Sequence, residues 1–106
     1  MVITRGVYTQ LVVHLEDYDF SGITKVILTI KNELEEKPVV VREYSTPEEI
    51  VETISPEEAE RLYYNKKIGH GSAFYDFDAI LSNGNRIKIS KNGNVDIVKG
   101  VGDIND

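Results

Sequence analysis

The chain has 106 residues, 41% of them hydrophobic, which fits one domain able to bury roughly two-thirds of its unfolded surface. Its 18 acidic and 12 basic residues give a formal charge of −6, the wrong sign for a nucleic-acid footprint. Cysteine is absent, which removes disulfides, thiolate metal sites and cysteine nucleophiles.

Period-two patterning dominates. Over residues 7–15, Leu11, Val13 and Leu15 alternate with Gln10, Val12 and His14, which predicts a strand. Residues 16–22 are rich in Asx, Ser and Gly and read as a loop. Residues 23–31 form the clearest strand, with Val26, Leu28 and Ile30 on one face and Lys25, Ile27, Thr29 and Lys31 on the other. A charged connection over 32–37 ends at Pro38, and 39–44 is a third, β-branched strand.

Thr46-Pro47-Glu48-Glu49 and Ser55-Pro56-Glu57-Glu58 both have the form of a capping box with proline at the first helical position. The second predicts one short helix over about 56–63, with Ala59 and Leu62 or Tyr63 on the core. Alternation of Ile50, Glu52 and Ile54 with Val51 and Thr53 predicts a strand over 49–54; a helix there is the alternative.

Residues 65–71 read as a polar loop. Ala73, Tyr75, Phe77, Ala79 and Leu81 then make a long alternating face, with Phe74, Asp76, Asp78 and Ile80 opposite. Asn83-Gly84 and Asn92-Gly93 predict two turns joining strands 73–81, 86–90 and 95–101 into an antiparallel meander, with 102–106 a frayed tail. Six to seven short strands without βαβ alternation predict a mostly β fold, an antiparallel β-sandwich forming a single domain over 1–106.

Chemistry-bearing patterns are sparse. Asp76 and Asp78 share a strand face with Cβ atoms roughly 6.5–7 Å apart, a spacing open to acid/base work or a hard cation. Without a third partner they read as the wet face of an antiparallel strand. Glu16, Asp17 and Asp19 lack the spacing and glycine of a calcium loop. His14 on a polar strand face and His70 between Gly69 and Gly71 have no third zinc ligand beside them and read as exposed. No GxSxG, P-loop or dinucleotide pattern is present, so neither enzyme nor cofactor is expected. Of six tyrosines, Tyr75 is expected in the core, whereas Tyr18, Tyr63 and Tyr64 are candidate contact residues. No apolar run reaches the roughly 18–20 residues of a membrane span. Arg5, Thr9 and Gln10 interrupt any signal-peptide layout, so a chain made in the cytoplasm and not exported is expected.

The order of features carries more than any one motif. Thr4-Arg5-Gly6 precedes an alternating strand; Ser21-Gly22 leads into the strand at 23–31; a proline-capped segment spans 54–62; and an aromatic-Tyr-Asp strand runs into an Asn-Gly hairpin. From about residue 4 to 101 this order resembles the small immunoglobulin-like β-sandwich domains of phage and prophage tail or baseplate regions. It is similar in layout to the N-terminal domain of siphophage baseplate upper proteins. That family often has Arg-Gly-Asp-Thr near its start, where this chain has Arg5-Gly6-Val7-Tyr8. The resemblance implies an immunoglobulin-like sandwich in a virion structural protein assembled in the host cytoplasm. Its implied partners are other tail proteins or further copies of itself, not nucleic acid or membrane.

Overall fold

Alternating strands form where apolar residues fall in one phase and need one sheet face to bury. The computed structural model describes residues 1–14, 21–33, 35–45, 49–90 and 93–100. The acidic loop with Glu16, Asp17 and Asp19, the contact candidate Tyr18, the first proline cap (46–48), Asn92 of the second turn and the tail 102–106 lie outside them, as does the side chain of His14. Strand accounts for 56% and helix for 6% of the described residues, so the protein is mostly β, as expected.

The elements in chain order are β1 (Val2–Thr4), β2 (Thr9–His14), β3 (Ile23–Lys31), β4 (Val40–Tyr44), β5 (Glu49–Ile54), α1 (Pro56–Glu60), β6 (His70–Leu81), β7 (Arg86–Lys88) and β8 (Gly93–Val98). One sheet has the order β1-β8-β6-β3-β4, with β7 also on β6. The other is the antiparallel pair β2-β5. The two share one core. Leu11, Ile50 and Ile54 of the small sheet meet Val26, Leu28, Ile30, Phe77, Ala79 and Ile97 of the large one, and Ala59 and Leu62 close one end. Val26 and Ile30 are fully buried, as the phase of β3 requires.

Three expectations need correction. The fold is not wholly antiparallel: β1, a strand missing from the sequence reading, pairs parallel with β8, bringing the described strands to eight. The helix is shorter than 56–63. Its proline start and Ser55–Glu58 capping box are as expected, but Arg61 caps its C-terminal end and Leu62 N–H reaches back only three residues to Ala59 O. The meander does not form either, because β7 and β8 both lie along β6 on the same side.

The physical reason lies in the register. Ile89 N–H donates to Phe77 O, and Gly93 faces Tyr75, so two steps along β6 match four along its partner. β7 and β8 therefore follow one another along the same side of β6, with two more residues between 89 and 93 than between 75 and 77. Gly93 serves close approach: a Cβ there would sit 2.1 Å from the Tyr75 ring. Asn83-Gly84 is the true hairpin turn, with Gly84 at φ 87°.

Candidate functional site

Among the described residues, two polar groups arise where a polar residue interrupts an apolar phase. The first lies between the layers. In β4 the inward phase reads Val40, Arg42, Tyr44, and in β5 it reads Ile50, Glu52, Ile54. Arg42 Nε donates to Glu52 Oε1 at 3.0 Å, its second arm donates to Glu58 Oε2 at 2.7 Å, and the Tyr44 hydroxyl donates to Glu52 Oε2 at 2.8 Å.

Glu58 also accepts from Ser55 N–H, so the helix cap and the inter-layer pair share one carboxylate. Burial alone would raise the Glu58 carboxyl. The Arg42 guanidinium and the Ser55 amide outweigh it and hold the group below its ordinary value. The hydrogen bond to Glu58 raises the Arg42 pKa, with burial opposing. Burial pushes the Tyr44 hydroxyl well up, and Glu52 adds to that. With every group partnered, this cluster holds the small layer and the helix against the β4 edge.

The second place is at the end of β3. Asn32 is only 5% exposed there. Its Oδ1 accepts from Tyr63 N–H at 2.7 Å, and its Nδ2 donates to Arg61 O at 3.0 Å and to Glu35 Oε2 at 3.2 Å. This fully used side chain pins the segment after α1 to the sheet. Beside it opens a groove of about 530 Å³ lined by Asn32, Glu33, Glu35, Arg61, Tyr63 and Ser72.

Next to the groove, residues 65–69 form a tight loop. Asn65 N–H donates to His70 O at 2.9 Å, Gly69 N–H returns to Asn65 O at 2.9 Å, and Asn65 Oδ1 accepts from Lys67 N–H at 2.9 Å. Gly69 takes the positive φ of 68° that such a closure needs. The loop carries Lys66, Lys67 and Ile68 outward, and Ile68 is 71% exposed.

The sequence candidates are distributed as follows. Tyr63 is 58% exposed at the groove. Tyr64 is half-buried, with the Arg5 guanidinium 4.2 Å from its ring centroid, so it anchors the chain while Tyr63 faces solvent. Tyr75 packs against the core with its ring edge-on to Phe77. Asp76 and Asp78 stand on the outer sheet face, ion-paired with Lys88 at 3.3 Å and Arg86 at 2.5 Å, and line no shared cleft. His70 opens β6 instead of lying in a loop, and its Nε2 is 3.1 Å from Asp96 Oδ1.

Among the described residues no group of three or more His, Asp or Glu side chains is placed to hold a metal, and no helix is long and apolar enough to cross a membrane. The Arg42 cluster and the Asn32 anchor were not foreseen. Charged residues in the inward phase of β4 and β5 are the signal that marks the first. The second depends on a contact between positions 31 apart, which no local pattern announces.

Comparison with protein-family models, curated proteins and solved structures found no match.

Proposed function

We propose that this protein is a non-enzymatic structural subunit that works by protein–protein contact, and that its setting is a phage or prophage tail or baseplate. The observation that supports contact over chemistry is the disposition of its polar groups. Its inward charges hold the two layers together, and its acidic pair is taken up by Arg86 and Lys88, while Tyr63 and Ile68 stand exposed. The sequence resemblance supplies the setting. In that reading the stacked layers are a reduced immunoglobulin-like sandwich in which β1 has become a parallel edge strand. Mass spectrometry of purified particles is expected to find the chain as a stoichiometric component. Particles that lack it, together with normal tails after deletion of its gene, would end the proposal.

One observation favours a second reading, a saccharide-binding module: an exposed tyrosine beside acid, amide and guanidinium groups in an open groove suits a sugar ring. In that case a glycan array identifies a ligand for the monomer, and Tyr63→Ala weakens binding at least tenfold by titration calorimetry, as expected when a stacking platform worth about 1.4 kcal/mol or more is lost. An empty array removes this reading.

A further inference from the structure

Ile68 is the most exposed large hydrophobic side chain among the described residues. It sits on a loop whose backbone is closed by its own hydrogen bonds, so its exposure costs little chain entropy to use. The two residues before it are lysines, which makes this tip basic on a chain of charge −6. The neighbouring groove has the opposite balance, since Glu33 and Glu35 outweigh Arg61 by one charge. Tyr63 belongs to both features: it lines the groove and leads directly into the segment that carries the loop.

A protruding apolar knob with a basic collar beside an acidic, tyrosine-lined hollow is a self-complementary surface. A two-fold axis requires such an arrangement, because the same patch must supply both halves of the contact. We infer that two copies of this chain associate through this end, Ile68 of each seated in the groove of the other and Lys66 and Lys67 facing Glu33 and Glu35. Tyr63 flanks the inserted isoleucine and keeps water from it, the part that a rim around a buried anchor plays at protein interfaces. Two loop tips and two grooves make an interface at the small end of the specific range, so the dimer is weak and concentration-dependent. The dimer goes beyond the proposed setting and does not depend on it.

Sedimentation velocity over about 10–500 µM tests this, a range suited to micromolar association. The wild-type chain is expected to shift from monomer toward dimer, and Ile68→Ser or the pair Lys66→Glu with Lys67→Glu to weaken the dimer at least tenfold. Glu33→Lys with Glu35→Gln is expected to do the same. Glutamine at 35 keeps the acceptor for Asn32, and circular dichroism checks that each variant stays folded. The decisive arm mixes the two charge variants. In the mixed dimer one contact has the wild-type charges and the other pairs reversed charges, so association returns to within about threefold of wild type although each variant alone dimerises at least tenfold more weakly. A wild-type chain that stays monomeric, a dimer indifferent to these substitutions, or a mixture that fails to associate overturns the inference.

Discussion

Gly71→Ala is expected to destabilise the fold by about 3–4 kcal/mol, more than ordinary overpacking, because the obstacle is backbone. A Cβ at this position would lie 1.8 Å from the Tyr63 carbonyl oxygen, 2.7 Å from its carbon and 2.8 Å from Tyr64 Cα. No rotamer relieves such contacts. The segment cannot retreat either, since Asn32 holds Tyr63 N–H at 2.7 Å and the Arg5 guanidinium covers the Tyr64 ring. For a domain of this size the loss corresponds to a fall in Tm of roughly 15–25 °C, read by circular dichroism. Ser72→Ala, one residue along on the exposed face, is the control and should melt close to wild type. A Gly71→Ala protein melting within about 3 °C of wild type would mean that the 63–64 segment does not rest on β6.

Arg42→Ala is expected to cost about 2–3 kcal/mol at neutral pH. Removing one partner from a buried pair costs about 3–5 kcal/mol. The discount applies because the Arg42, Glu52 and Glu58 side chains keep 31%, 20% and 14% of their exposure. Its pH dependence identifies the cause. Glu58 has a folded pKa below its ordinary 4.5, so its contribution is present above that value and is lost as acid titrates the folded carboxylate. Tyr44 has a folded pKa above its ordinary 10.0, so its contribution holds below that value and fades as the solution becomes more alkaline. Urea titrations from pH 3 to 11 should show a flatter acid limb in Arg42→Ala and a flatter alkaline limb in Tyr44→Phe. Limbs parallel to wild type in both variants would mean that other groups set the pH range of stability.

What could be read from the sequence was local. The strand faces of 23–31 and 73–81 follow from side-chain alternation, and the Ser55–Glu58 cap and the Asn83-Gly84 turn follow from residues three apart or adjacent. What could not be read was mostly a matter of partner choice. The triplet Val2–Thr4 is too short to show a period, and only its alignment with β8 makes it a strand. Asn92-Gly93 has the composition of a hairpin turn, yet Gly93 is required by the Tyr75 ring across the ladder. Asn32 looked like part of a charged connection, and its role appears only once the segment after α1 folds back over it. The site was legible in kind but not in place: Tyr63 and Tyr64 are adjacent, and their opposite roles are set by Arg5, nearly sixty positions away.

The placement of β8 between β1 and β6 has a consequence for how the molecule is made. Asp96 N–H reaches Met1 O and Arg5 N–H reaches Val98 O, so β1 finds its partner only when residues near 98 have been made. Until then Ile3, fully buried in the finished protein, has no Ile97 to pair with. β8 is thus the segment that locks β1 into the sheet. Pairings this distant along the chain carry a large loop-closure cost and slow the closing of the sheet at this edge.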